Sequence, residues 1–516
     1  MSAGSPLSSP AKRSLPVAVL LLLALFLRLH GIGSEALWTD EVFSAEFSAQ
    51  PVPQLMRATA MDSHPPLYYM GLRFWRMIAR GTSETGMRLY SVLWSLIGLW
   101  AVFLLARDLG GGRVGLVALF LGAVNPLDVF FAQEARMYAQ TTALCALGSW
   151  CLWRWVRALD GAAERKDIGR WWVYYTLCAA TALLTHYLAV FPLVSQGLCM
   201  LAWCGGRRQW RNILLFVGSV LTVALVFLPW FSLVVGVRGA LYNPLLAWIP
   251  RAPVSDYVLF AGREFFWGWI RQVPSALLVV TLSMAALVLA AGARRALQSG
   301  GAPPLPMNPP HPAGILFLFS LLFLPLLLVA IAGRVYHPLY VAERFSLFVL
   351  PPFLVLASIA CLSLASRLRA RIAAALIGIV MLAATLVQER TVEKSDWRAF
   401  ARIWREEGPP ALVVFFPSFY ERAASYYLGR QVRSAPRSAV ETLLPQLGGE
   451  EVWVYSAKDY VEREYFEWLA SLGEKRSESL PAGLELVRIR IPRAGAPRDA
   501  GSPPDQATAP DRRQEP

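Results

Sequence analysis

Runs of about 20 apolar residues recur along the whole chain, and no other feature constrains its folding so strongly. "SLPVAVLLLLALFL" near the start and "ILFLFSLLFLPLLLVAIAG" near residue 320 are two of them. A soluble protein carries about 25% charged residues, whereas this chain of 516 residues carries 16%, with 56% hydrophobic residues and a mean hydropathy of +0.44. A soluble core would have to hide several such helices at once. The chain reads as an α-helical polytopic membrane protein.

About eleven spans are expected, at approximately 15–31, 86–106, 113–131, 138–157, 171–186, 188–204, 212–236, 272–293, 313–333, 345–365 and 370–388. The first follows Lys12 and Arg13 and begins like a signal peptide, but "RLHGIGSEALW" continues without a cleavage site, so it reads as a retained anchor. Basic clusters fall in alternate loops: Arg107 and Arg113; Arg154, Arg157, Arg165, Lys166 and Arg170; Arg207, Arg208 and Arg211; Arg294 and Arg295; Arg367, Arg369 and Arg371. This pattern marks cytoplasmic loops. With residues 1–14 in the cytoplasm, an odd number of spans places everything after about residue 389 outside. The net charge of +14 is thereby assigned to the membrane rather than to nucleic acid. All six cysteines lie in apolar segments and show neither a disulfide framework nor a metal-ligand spacing.

A transmembrane domain over 15–388 is expected to carry a structured external loop at 32–85. There, "HPPLYYMGLRFWRMIA" reads as an interfacial helix opened by Pro65 and Pro66, with Arg73 and Arg76 on its polar side. A second external loop, 237–271, offers Trp248, Trp267 and Trp269 as interface anchors. The composition changes after residue 389. "SDWRAFARIWREEG" is helical with a Ser395 or Asp396 cap, "ALVVFF" is a strand, "SFYERAASYYLG" is a helix ended by Gly429, "EVWVYS" is a strand, "KDYVEREYFEWLASLG" is a helix and "LELVRIRI" is a strand. Alternating strands and helices over 389–491 predict a small extracytoplasmic α/β domain. Residues 492–516 read as disordered.

Ionisable groups are costly in a bilayer, and here they gather on the outer side. His30, His64, His186 and His337 are expected there, with Asp40, Glu41, Glu46, Asp128, Glu134, Arg136, Arg263, Glu264, Glu343 and Arg344. Each alone has a structural reading, and Arg28 reads as a snorkelling side chain. Together they suit a reaction in which an acceptor loses a proton to a carboxylate, worth about 10²–10⁴-fold, while arginines hold a departing phosphate. Nucleotide-binding loops are absent from the sequence, so a lipid-linked donor fits better than a nucleotide.

"RLHGIGSEALWTDEVFSAEF", "SHPPLYYMGLRFW", "NPLDVFFAQEARMYA", "LLTHYLAVF" and "ERFSLFVLPPFLVL" together resemble the GT-C-fold membrane glycosyltransferases, the group of protein O-mannosyltransferases and the lipid A aminoarabinose transferase. The segment from Lys394 to Gly429 resembles the extracytoplasmic domain of bacterial members. The resemblance implies an inverting transfer of a sugar from a polyprenyl-phosphate donor to a protein, lipid or glycan acceptor at the outer face of a bacterial inner membrane. It implies Asp40 as general base, supported by Glu41, and Arg136 and Arg344 as donor or phosphate contacts. It also places His64, Tyr138 and His186 in the cavity lining, with His64 where some relatives have Lys. Metal use varies in the group and is left open; Asp40, Glu41 and His64 are the groups that would hold a divalent ion. A transporter of lipid-linked sugars and a non-catalytic envelope assembly protein are the rival readings.

Overall fold

The computed structural model describes residues 10–491 except 80–82, 160–164, 240–248, 250, 271, 298–311, 337, 365, 392–393, 417, 433, 436, 444–445, 458–466, 469–470, 472 and 480–483. The tail 492–516, the proline-rich loop 298–311, Trp248, His337 and most of the helix expected at 458–473 lie outside the described residues. The chain divides into two compact units. One comprises residues 1–32 and 44–392; the other comprises 33–43 and 393–516.

The first unit is a helical bundle. Among the described residues, six helices are long and apolar enough to cross a membrane: Glu84–Gly110, Tyr187–Gly206, Trp210–Arg238, Ala313–Val335, Arg344–Leu362 and Arg367–Thr391. A seventh candidate is the bent pair Gly112–Ala123 and Pro126–Ala132. This is fewer than the eleven expected. The remaining expected segments are helical too, but Tyr138–Arg157 and Arg165–Thr185 are diluted by polar and basic residues, and the apolar stretches Ser14–Leu29 and Ser275–Leu287 are short. Arg344–Leu362 is buried along its whole apolar length and packs against helices from both ends of the unit, so it forms the bundle's axis.

Sequence-local chemistry sets the helix ends. Ser83 caps Glu84–Gly110 by accepting the Gly86 N–H at 3.1 Å. The helix expected to lie at the interface forms at Leu67–Ile78, directly after Pro66. It leaves Phe74, Met77 and Ile78 exposed. Arg76 donates to the Ala45 carbonyl at 2.7 Å and Ser48 Oγ at 2.6 Å, and Arg73 to the Ala49 carbonyl at 3.2 Å. These guanidinium groups satisfy the last carbonyls of the helix ending at Ala49. The segment 237–271, expected as a second external loop, contains an unanticipated helix, Val254–Trp267, which buries Tyr257, Ala261, Phe265 and Phe266. Trp269, expected as an interface anchor, instead stacks on Phe130 with ring centroids 4.7 Å apart.

One buried ion pair organises the bent helices. Gly112–Ala123 and Pro126–Ala132 meet at a 62° bend, where Pro126 removes one backbone donor. Asn125 restarts the helix by accepting the Asp128 N–H at 3.1 Å. The carbonyls freed at the bend are met by side chains from distant helices. Arg28 donates to Gly122 and Ala123, each at 3.1 Å, and Thr385 donates to Val124 at 3.0 Å. Gln388 donates to Pro126 at 3.0 Å. Arg28 also donates to Ser95 Oγ at 2.7 Å, to the Ala24 carbonyl at 2.9 Å and to the Asp128 carboxylate, and Ser95 donates to Asp128 at 2.7 Å. Arg28 therefore does not snorkel: it is 0% exposed.

The second unit contains, among the described residues, a four-stranded sheet of β1 (Leu412–Phe416), β2 (Glu451–Ala457), β3 (Glu474–Ser479) and β4 (Leu484–Arg490) in the order β1-β2-β4-β3. β1 and β2 are parallel, whereas β4 pairs antiparallel with β2 and β3. One face buries Val414, Val452, Val454, Val487 and Ile489; the other packs Phe415 and Tyr455 against Trp397 and Phe400. Asp396 caps the helix Trp397–Glu407 through the Arg398 and Ala399 N–H groups. Gly429 ends Tyr420–Leu428 at φ +65°, a conformation costly for other residues. The edge strand β3, "EKRSES", was not anticipated because it lacks an alternating apolar pattern.

Removing one partner of the Arg28–Asp128 pair leaves a buried charge uncompensated. Arg28→Met and Asp128→Asn should each destabilise the first unit by about 3–5 kcal/mol. The double variant Arg28→Met/Asp128→Leu should cost less than either single change. Thermal unfolding of the detergent-solubilised protein measures both.

Candidate active site

The candidate site in the first unit begins in the loop 62–66, between the helices Val52–Met61 and Leu67–Ile78. Asp62 ends the first of these with extended backbone, φ −89° and ψ −178°. Arg238 at the end of Trp210–Arg238 clamps the loop by donating to the Ala60 carbonyl at 2.6 Å and to the Asp62 carbonyl. Ala60 packs with Trp230 and Val234 of the same long helix. His64 Nδ1 lies 3.5 Å from the Asp62 carboxylate.

The His64 ring meets His186 edge-on, with centroids 5.0 Å apart. His186 sits in the turn between Arg165–Thr185 and Val190–Gly206, and its Nδ1 accepts the Leu188 N–H at 3.1 Å. That bond assigns the neutral tautomer with its proton on Nε2. Phe348 lies 5.3 Å away and Tyr138 5.8 Å away. The Arg344 guanidinium, in the first turn of the axial helix Ala342–Leu362, stands over the Tyr138 ring at 5.7 Å.

Arg136 comes from the short turn between Pro126–Ala132 and Tyr138–Arg157. Gln133 anchors this turn by donating to the carbonyls of Leu27, Arg28 and His30, the last at 2.7 Å. The Arg136 N–H bonds the Glu134 carbonyl at 2.8 Å, and its own carbonyl accepts from Ser91 at 3.4 Å. Its guanidinium, 4% exposed, reaches Ser44 Oγ and Tyr69 Oη, each at 3.5 Å.

The structure thus brings together five of the residues expected from sequence: His64, Arg136, Tyr138, His186 and Arg344. Others of the outer group are placed elsewhere. Asp128 pairs with Arg28, His30 is exposed beside Glu389, and Arg263 donates to the Ile270 carbonyl at 2.6 Å. Asp62, Tyr69 and Arg238 were not expected. Asp62 stood two residues before a noted histidine, but its loop packing had no signal in the sequence.

Asp40 and Glu41 belong to the second unit, in the first turn of the helix Thr39–Ala49, where an N-terminus favours negative charge. Glu41 is buried, 3.5 Å from Lys394 Nζ. The preceding residues are held by Arg398, which donates to the carbonyls of Gly33, Ser34 and Glu35, and by Tyr427, whose Oη accepts the Leu37 N–H at 2.6 Å. Among the described residues, no group of three His, Cys, Asp or Glu side chains could hold a metal. His64 contacts one carboxylate and feels the charges of Arg136 and Arg344, a setting that does not fit a bound cation.

Burial is the strongest influence on His64 and lowers its basicity. Asp62 works against it, but Arg136 and Arg344 reinforce burial, and the imidazole titrates below its ordinary 6.5. For Asp62, burial raises the carboxyl, but contact with His64 and the charge of Arg136 outweigh this and hold it below 3.8.

Residues 63–232 match the family of dolichyl-phosphate-mannose-protein mannosyltransferases. No curated protein matches the chain. Among solved structures, ArnT from Cupriavidus metallidurans bound to undecaprenyl phosphate is similar with a TM-score of 0.61 and 13% identity, over 92% of this chain and 98% of that one. The oligosaccharyltransferase of Archaeoglobus fulgidus in complex with Zn and sulfate is similar at 0.52 and 11%, over 90% and 72%. AglB from the same organism, in complex with an inhibitory peptide and a dolichol-phosphate, is similar at 0.50 and 11%, over 92% and 74%. The chain has the GT-C fold of membrane glycosyltransferases.

The His64 shift fixes a sign for acid stability. The unfolded chain takes a proton near 6.5 that folded His64 resists, so this group destabilises the fold as pH drops below the ordinary value. The Asp62 contribution is present above 3.8 and is lost only at lower pH. Between about pH 7 and 5.5, His64→Gln should therefore lose less stability than the parent, as measured by thermal unfolding across that range.

Proposed function

Because the chain has the GT-C fold and a mannosyltransferase-family segment at residues 63–232, we propose that it is a membrane glycosyltransferase using a polyprenyl-phosphate sugar. The observation that carries this reading is the run from the Arg344 guanidinium, 5.7 Å over the Tyr138 ring, to His186 at 5.8 Å from that ring and His64 at 5.0 Å from His186, with the charge of Arg136 acting on both imidazoles. Two guanidinium groups at the end of an apolar bundle, one beside a helix N-terminus, suit a phosphate delivered by a lipid. A charge about 4 Å from a guanidinium gains roughly 4 kcal/mol at an effective dielectric of 20. Structures of the same fold bind undecaprenyl phosphate and a dolichol-phosphate, which supports a donor of this class.

In the proposed reaction an acceptor oxygen or nitrogen attacks the anomeric carbon of the sugar. The bond from that carbon to the phosphate oxygen breaks, and its electron pair leaves with the phosphate. Asp40 takes the acceptor proton, supported by Glu41, whose charge is matched by Lys394. Arg136 and Arg344 stabilise the negative charge growing on the phosphate. Tyr138, His64 and His186 line the donor site. Attack opposite the leaving phosphate inverts the anomeric centre. The acceptor is a protein, lipid or glycan on the extracytoplasmic side of a bacterial inner membrane, where the second unit also lies.

Purified protein incubated with polyprenyl-phosphate sugar and an envelope acceptor fraction tests the reading. Sugar transfer in detergent, without a second compartment, is expected. Asp40→Asn should lower kcat by about 10²–10⁴-fold with donor KM little changed. Arg136→Met and Arg344→Met should each lower kcat/KM by about tenfold or more. Full activity in Asp40→Asn would remove that residue as the base, and absence of transfer with every acceptor fraction would remove the glycosyltransferase reading.

A further inference from the structure

The two imidazoles of the site are not equivalent. His186 cannot take a second proton without losing its cap, because its Nδ1 accepts the Leu188 N–H. His64 has no such constraint. Among the described residues, the one polar group beside its Nδ1 is the Asp62 carboxylate, 3.5 Å away. That carboxylate is held in place through its backbone by Arg238 and by the Thr59 carbonyl, which accepts the Asp62 N–H at 3.1 Å. Tyr187, whose Oη accepts from Trp230 at 3.0 Å, Arg238, the Ser63 backbone and the charge of Arg136 also act on Asp62.

The charged and titratable groups that face His64 come from four elements: Asp62 on its own loop, His186 in its turn, Arg136 in the turn before Tyr138, and Arg344 in the axial helix. The guanidinium charges of Arg136 and Arg344 oppose a third positive charge at His64. A phosphodiester anion lying against Arg136 and Arg344 cancels that opposition, while the Asp62 carboxylate keeps the Nδ1–H facing it and leaves Nε2 to take the proton.

We propose that Asp62 is a positioning residue through which His64 takes up a proton as the anionic phosphate of the donor enters, turning a neutral imidazole into a third cationic contact. This rests on the donor class given under the proposed function. The proton comes from solvent and adds to Nε2, since the Nδ1–H of the neutral ring already faces the Asp62 carboxylate; no bond of the donor is broken. The Asp62 contact tightens from 3.5 Å to a charge-assisted hydrogen bond once the ring is charged. The imidazolium thus forms only in the loaded site, where the leaving phosphate needs it.

Isothermal titration calorimetry of the full-length protein in detergent tests this, with a short-chain polyprenyl methyl phosphodiester as probe. A diester has no second ionisation, so any proton exchange belongs to the protein. Titrations at about pH 7.5 in two buffers of different ionisation enthalpy should show uptake of about 0.5–1 proton per bound diester. Affinity should fall about tenfold between roughly pH 6.5 and 8.5. His64→Gln should bind with no buffer dependence and a flat pH profile. Asp62→Asn should cut the uptake by at least about half, and Asp62→Glu should restore it. Tight binding with buffer-independent enthalpy in the parent would overturn the inference and leave the glycosyltransferase reading standing. Undiminished uptake in His64→Gln would overturn it too. Failure of the parent to bind the diester would overturn both.

Discussion

Taking a guanidinium and a carboxylate out of water costs several kcal/mol for each ion, even after the protein relaxes. Arg28 and Asp128 offset that cost by lying together at a place where the backbone itself needs donors. The bend at residues 123–126 strips carbonyls of their helical partners. Arg28 donates to the carbonyls of Gly122 and Ala123, binds Asp128 and reaches Ser95, so a single side chain joins its own helix to Glu84–Gly110 and to both halves of the bent pair. An arginine is required, because the ammonium of a lysine lacks the planar fork that serves carbonyls and a carboxylate at once. The consequence travels only a few residues. Pro126–Ala132 ends at Gln133, whose amide holds the end of the first helix, and the turn that follows presents Arg136.

Two guanidinium groups, Arg136 and Arg344, act on the imidazoles of the site. Arg136 is buried and Arg344 stands at a helix N-terminus, so the field favours an anion and opposes protonation of nearby imidazoles. The hydrogen bond that fixes the tautomer of His186 removes it from proton exchange, whereas the loop carrying His64 keeps a carboxylate within reach. Two histidines 5.0 Å apart thereby acquire different chemistry from the contacts of their ring nitrogens.

Most of this architecture could be read from the sequence where the physics is local. Apolar runs marked the long helices, Pro66 the start of the interfacial helix, Asp396 a cap and Gly429 a stop. Reading failed where partners are distant in sequence. Arg28 beside a helix end looks like a snorkelling residue until Asp128, 100 residues later, is placed against it. The helix Val254–Trp267 was hidden in a segment judged by its tryptophans, and β3 by its charge. The outer polar cluster was legible as a group because charges are expensive in a bilayer. Its division into bundle-forming and site-forming members was not, since that depends on which helix ends meet. Asp62 was invisible for the same reason.

The acidic stretch illustrates a different kind of constraint. Residues 33–43 are separated from residue 393 by more than 300 positions, yet they form one compact unit with the C-terminal part. Arg398 binds three successive carbonyls of this stretch, Lys394 binds the carboxylates of Glu35 through its N–H and of Glu41 through its ammonium, and Arg422 covers the Phe43 ring at 4.1 Å. A loop fixed by backbone contacts on one side of Asp40 and begun as a helix on the other has few conformations left. Burying Glu41 against Lys394 adds a directional restraint, since either ion alone would be costly there. Local sequence can supply an acidic pair and a helix start, but this rigidity has to come from elsewhere in the chain. That gives residues after 393 a physical task in the proposed reaction: they hold still the segment that carries the proposed base, Asp40.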